Sequence, residues 1–331
     1  MKKLTCSAIA LTMTCAAGFA SDSEWSALDQ EVGALASTLS LDGGASISGL
    51  LQSAYTSDGD NNIGGWGTGN ARLAADGSHG DYGYHVEADF ADDGLRGAYA
   101  TWGMTDSVSA QMGQFRASVC NDADLDEGSM KHFAHSGVGG AFTGFTGGLG
   151  LSGAMSDISW SLSIMNGGAN STNDELLTAL RVSMDLMDGG EGGMSVSANV
   201  ALVDDGEGTD DDATVIEVSA GNGTWGLGVE TCDTGVGFTN SLAGANDGAV
   251  NGMALAADAS TMAISASYNI DANWEVALRI TDWDNDNEST EITANNYLDG
   301  HGLKWQIGMQ ETDDGAGNDT SAMLVGLTVA F

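Results

Sequence analysis

From Ala45 to Phe331, hydrophobic and polar residues alternate with a period of two in one segment after another. In "YGYHVEADF", Tyr82, Tyr84, Val86, Ala88 and Phe90 share one face, while His85, Glu87 and Asp89 share the other. "ISWSLSI" sets Ile158, Trp160, Leu162 and Ile164 against serines, and "MSVSANVAL" sets Met194, Val196, Ala198, Val200 and Leu202 against Ser195, Ser197 and Asn199. "NWEVALRI" opposes Trp274, Val276, Leu278 and Ile280 to Glu275 and Arg279, and "LKWQIGM" opposes Leu303, Trp305 and Ile307 to Lys304 and Gln306. The final "SAMLVGLTVAF" places Met323, Val325, Leu327, Val329 and Phe331 together. This is the period of a strand whose two faces meet different surroundings.

Strand length decides between the surroundings. Strands of a soluble sandwich usually run about five or six residues with the apolar face on a dry core. These segments run about ten residues with aromatics near their ends, which fits a tilted strand crossing the hydrocarbon of a bilayer. The pattern predicts an all-β transmembrane antiparallel β-barrel over 43–331, apolar side chains toward lipid and polar ones toward a wet lumen. Closure also leaves no sheet edge in lipid. Connections alternate as such a barrel requires: "TSDGDNNIGGWG" is followed by "GSHGD", the stretch after residue 117 by "MSD", and "DDGEGTDDD" by "GNG". Counting every run separately gives seventeen segments. Joining 252–269 into one strand gives sixteen, the even number that returns both ends to one side.

The period changes upstream. In "SDSEWSALDQEVGALASTLS", Trp25, Leu28, Val32, Leu35 and Leu39 are spaced three, four, three, four, the seam of a helix. A helix this short needs partners, so 21–42 is expected to form a periplasmic coiled coil. The first twenty residues, with Lys2 and Lys3, an apolar run and small residues ending at Ala20, read as a secretory signal peptide.

Composition narrows the function. Asp and Glu number 47 against 9 Lys and Arg, for a formal charge of −38; loss of Lys2 and Lys3 deepens it to −40. Phosphate-backbone binding needs clustered bases, so nucleic acid is excluded as a partner. Proline is absent and glycines number 49. Of four cysteines, Cys120 and Cys232 lie beyond the signal peptide and form one disulfide or two thiols. Nothing resembles a nucleophile beside its base, which argues against an enzyme. Gly148, Gly150 and Gly153 spell a dinucleotide fingerprint without the helix that it requires. His132 and His135, near Cys120, read as part of a solvated loop rather than as metal ligands. "DADLDEG" and "DWDNDNES" lack the Gly and Glu of a calcium loop, which leaves loose Ca²⁺ binding at acidic outer loops and no cofactor.

The segments "SISGLLQSAYTS", "NARLAADGSHGDYGYHVEADF", "LRGAYATWGMTDSVSAQMGQF", "WSLSIMNG", "NWEVALRITDWDNDN", "GHGLKWQIG" and "VGLTVAF" together resemble bacterial outer-membrane porins of the phosphate-selective porin O/P group, particularly those with an amino-terminal coiled coil. The resemblance implies a homotrimeric barrel of sixteen strands in a Gram-negative-type outer membrane, passing small ions and solutes. It also implies a third outer loop, here 118–144, folded inward to narrow the pore. Val329 and the terminal aromatic Phe331 are implied as the signal read by the barrel assembly machinery. Where the family has Lys-Ala-Pro-Phe after its Gln-Phe, this chain has Arg116, Ala117, Ser118 and Val119.

The candidate constriction is therefore Arg116, Asp122, Asp124, Asp126, Glu127 and Lys131. By strand phase, Arg72, Glu87, Asp89, Arg181, Asp185, Glu230, Glu275, Arg279 and Lys304 belong to the lumen wall. On the loop four acids stand against Lys131 alone, so the expected channel prefers cations in spite of the phosphate-selective resemblance. Two other readings stay open: a secreted, acidic, calcium-dependent β-structured surface or binding protein, and a barrel that acts as an enzyme or translocator.

Overall fold

The computed structural model describes residues 45–58, 63–91, 94–166, 176–190, 193–206, 212–238, 258–284, 287–313, 315 and 319–331. The predicted signal peptide and the helix over 21–42 lie outside the described residues.

Sixteen strands follow in chain order: β1 (Ser46–Asp58), β2 (Ile63–His79), β3 (Tyr82–Asp89), β4 (Gly94–Thr105), β5 (Val108–Arg116), β6 (Phe145–Met155), β7 (Ile158–Asn166), β8 (Leu176–Met187), β9 (Ser195–Asp204), β10 (Asp212–Gly221), β11 (Trp225–Thr234), β12 (Ser260–Asn269), β13 (Trp274–Trp283), β14 (Asn287–Asp299), β15 (Leu303–Asp313) and β16 (Asp319–Ala330). Each pairs antiparallel with its neighbours in sequence, and β1 pairs with β16, so the sheet is a closed barrel. Gly49 and Phe331 exchange backbone hydrogen bonds of 3.0 and 3.1 Å at that seam. The stretch 252–269, read from sequence as one strand, is a strand over Ser260–Asn269, with 251–257 outside the described residues.

Alternation has the predicted sense. Along β13, Val276, Leu278 and Ile280 are exposed on the outside, while Glu275, Ala277, Arg279 and Thr281 are buried inside. The same holds for Leu180 and Val182 outside and for Gln306 and Lys304 inside. A soluble protein leaving Leu, Val, Ile and Met side chains in an unbroken outer band would expose an apolar patch far beyond what water tolerates. Lipid resolves that, and the fold supplies all backbone hydrogen bonds internally.

One irregularity matters for the lumen. Between the pairs Val86↔Ala98 and Ala88↔Leu95 the register shifts, so that Arg96 and Gly97 together oppose Glu87. This bulge changes the phase of β4 and brings Arg96 inward, where it is buried.

Candidate functional site

The segment between β5 and β6 turns into the barrel. It contains a helical turn at Asn121–Asp124 and a tighter 3₁₀ turn at Gly139–Phe142. Two kinds of contact hold it. On one side Val119, Cys120, Ala123, Val138, Ala141 and Phe142 pack in a buried cluster with Phe115, Met165, Leu177, Val203, Val215 and Cys232 of the wall. Full burial of a large apolar side chain contributes about 1.5–3 kcal/mol, so this patch fixes both roots of the segment. Cys120 and Cys232 are unpaired thiols within it. Burial pushes the Cys120 thiol well above its ordinary value, and the nearby Glu230 and Asp122 carboxyls push the same way.

On the other side the contacts are polar. Glu217 accepts from the backbone N–H and the side-chain amide of Asn121 at 2.9 and 2.8 Å. Lys131 meets Glu275 at 2.7 Å and donates to Ser267 at 2.8 Å. The Phe133 N–H donates to Glu291 at 2.9 Å, and Arg279 donates to both Glu291 (2.6 Å) and the Ala134 carbonyl (2.9 Å). Asn295 donates to the Lys131 carbonyl at 2.9 Å, and the fully buried Lys304 ammonium donates to that of Met130.

Glu127 is the hub of the charged side. Arg72 lies 2.5 Å, Arg96 2.8 Å and Arg116 3.5 Å from its carboxylate, and Gln52 donates to its carbonyl at 2.9 Å. Glu87 and Asp89 complete the cluster, 3.3 Å from Arg96 and 3.5 Å from Arg72. Arg96 and Arg116 each lie 4.9 Å from the centre of the Phe145 ring. Burial alone would raise the Glu127 pKa; the His135 ring and the three guanidiniums outweigh it and hold the carboxyl well below its ordinary value.

Asp122 accepts from the Ser136 N–H at 2.8 Å and sits 3.2 Å from His135 Nδ1. Burial works against ionisation of both groups, yet their mutual attraction prevails: His135 is pushed up to about 9, and Asp122 is held below the usual carboxylate range with Arg279 assisting. His135 Nε2 is 3.9 Å from Glu127, an ion-pair distance rather than a hydrogen bond. His132, by contrast, is held well below its ordinary value by burial and by the Arg279 charge.

With this geometry in place the barrel can be set beside solved structures. It is similar to OmpT, an outer membrane protein of Vibrio cholerae solved in a trimer form, at 12% identity and a TM-score of 0.58 over 87% of this chain and 99% of that one. It is similar to an engineered triple mutant of the Rhodopseudomonas blastica porin at 16% identity and a TM-score of 0.58 over 87% and 100% of the two chains. The fold is a porin barrel. No protein-family model matches the chain, and no curated protein matches it by sequence.

The residues read from sequence occupy distinct places on this barrel. Arg72, Glu87, Asp89, Arg116, Asp126 and Glu127 converge in one cluster, to which Arg96 belongs as well. Asp122 joins Arg279 at 3.9 Å, Asp124 joins Arg181, and Lys131 joins Glu275. Asp185 is exposed along the inner wall, apart from these pairs. The expectation that four loop acids face Lys131 alone is corrected: the wall arginines reach Asp122, Asp124, Asp126 and Glu127, because the segment lies against the strands that carry them. The expected solvated loop around His132 and His135 is corrected too, since both rings are buried by the inward turn. Sequence reading passed over Arg96, Asn199, Glu217, Glu291 and Asn295 as contact residues. The inward phase of "ESTEITANN", with Glu291, Thr293 and Asn295 alternating, is the signal that could have found the two of them on β14, Glu291 and Asn295.

Proposed function

We propose that the chain is a general diffusion porin of the outer membrane, a passive channel for small hydrophilic solutes and ions that prefers cations. The observation that carries this reading is a closed barrel with an outward apolar band and an inner wall of charged and hydroxylated groups, against which the 117–144 segment folds. That segment is taken as the constriction, with Asp124, Asp126 and Lys131 exposed on it. A pore of this kind does no bond chemistry; it lowers the cost of keeping an ion hydrated across a low-dielectric slab.

Cation preference is supported by how the bases are placed. All seven Lys and Arg beyond the signal peptide contact a carboxylate or a backbone carbonyl. Acids remain at the openings: Glu288, Glu311, Asp313 and Asp319 line a cavity of about 470 Å³ at the outer ends of β14–β16. The finer placement in the phosphate-selective O/P group rests on the quoted segments alone, and phosphate selectivity asks for uncompensated lumenal cations. By analogy with the OmpT trimer, the assembly is proposed to be a homotrimer, with 21–42 as its coiled coil and Val329 and Phe331 as the recognition signal for barrel assembly.

The test is a planar bilayer with a KCl gradient. Discrete conductance steps with a cation-signed reversal potential are expected. An anion-signed potential overturns the selectivity, and failure to conduct overturns the channel.

A further inference from the structure

The inner faces of β5–β10 align serines in register. Ser109 stands opposite Ser152, Ser152 opposite Ser161, and Ser161 opposite Arg181. Ser159 stands opposite Ser183, Ser183 opposite Asn199, and Ser197 opposite Ser219. The Ser109 and Ser152 hydroxyls are 2.8 Å apart, those of Ser197 and Ser219 are 2.7 Å apart, and Ser183 donates to Asn199 at 3.2 Å. A hydroxyl has one proton and two lone pairs, so each keeps capacity for a further partner.

All of these groups except Ser219 border an open cavity of about 760 Å³ that runs from the β4–β5 turn to Ser118 and Asn121 at the root of the inward segment. Its charged lining is Asp106, Asp185 and Arg181, the last of them committed to Asp124. A smaller cavity of about 290 Å³ lies between the segment and β10–β13, and the side across from the serine rows is more tightly packed. There Glu127, Met130, His132, Ala134 and His135 are buried against the charged faces of β1–β4 and β12–β15. The larger share of the open lumen is thus left beside the serine rows, away from the arginine cluster.

We propose that the inner faces of β5–β9 form a hydroxyl track that binds uncharged polyhydroxy solutes, sugars above all, and guides them past the inward segment; this rests on the channel reading. A sugar gives up water hydrogen bonds on entering and regains them from serine and amide groups without desolvating a charge. Along the serine rows themselves an ion would exchange full hydration for neutral dipoles, Asp106 and Asp185 being the carboxylates on this wall, so the rows favour the uncharged solute.

Sucrose is the probe. Its partial block of the KCl current through the wild-type barrel gives an apparent Kd. In the S161A/S183A/S197A variant, normalised to that variant's own current, the Kd is expected to rise about fivefold or more, the equivalent of one lost hydrogen bond. Separately, S183C in detergent should react with a small hydrophilic methanethiosulfonate, with sucrose slowing the reaction; the wild type, whose two thiols are fully buried, is the background. An unchanged Kd in the triple variant, or labelling of S183C indifferent to sucrose, overturns the track. A barrel that passes no current fails the channel reading instead, and the labelling experiment still decides whether sucrose binds.

Discussion

At Glu127 three guanidiniums converge on one buried carboxylate, and removal of its charge leaves Glu87, Asp89 and Asp126 as the carboxylates of the cluster. Breaking a buried pair by deleting one partner costs about 3–5 kcal/mol. E127Q is therefore expected to lower the unfolding midpoint in detergent and to move the reversal potential toward anions, because the cluster of Arg72, Arg96 and Arg116 loses one negative charge. His135 makes a second prediction at this scale. Its pKa is raised from 6.5 to about 9, so the stabilisation that it gives the segment is complete below about 6.5 and is lost as pH climbs through about 9. Groups facing it are Asp122 and Glu127, both ionised throughout that window by their depressed values. Current noise from a loosened segment should increase between those limits in the wild type, and H135Q should abolish that dependence.

Among the strands, β5 contains the closest approach of a glycine to neighbouring backbone. Gly113 has φ of +137°, and a Cβ there would lie 2.2 Å from the Ala98 carbonyl and 2.7 Å from Tyr99 Cα, both in the β4 backbone. Such a conformation costs a non-glycine residue roughly 1–3 kcal/mol before the clash is counted. G113A should give barrels that lose heat-modifiable gel mobility at lower temperature. On the outer face, L278K places a charge in the middle of the apolar band of β13 and is expected to cost about 2–4 kcal/mol, read from urea titration in lipid vesicles. The strands were legible because a period of two runs through most of each strand, and loop parity fixed their number. The bulge was not: alternation counted back from Tyr99 and Thr101 puts Arg96 outside, and only the shift opposite Glu87 turns it inward. The partners of the inward segment were equally hidden. Pairing of Asp122 with Arg279 depends on where a flexible stretch docks, which no spacing along the chain encodes.

Across the barrel, charge is organised in two ways. Inside, opposite signs meet within ion-pair distance around the 117–144 segment; at the outer end of β14–β16 acids gather without such compensation in the same cavity. Exposed charges are screened beyond about 10 Å at 0.1 M salt and about 3 Å at 1 M. The cation preference should accordingly fade as KCl is raised, whereas the compensated interior should keep its conductance proportional to salt. A preference that stays constant to molar KCl would place the selecting charges inside instead. Size-exclusion chromatography with light scattering in detergent checks the trimer.

Most of the bulky and charged side chains of the lumen stand on one arc of the circumference, and the arc from β5 to β9 is mainly serine, with Gln111, Arg181, Asp185 and Asn199 set among the short residues. A hole bored through such a wall is eccentric. Anyone seeking to enlarge it for larger cargo would gain nothing by trimming arginines, whose loss unseats the plug; the diameter is set instead by how little the serine arc protrudes, and a single tryptophan at Ser161 should close what several deletions elsewhere could not open.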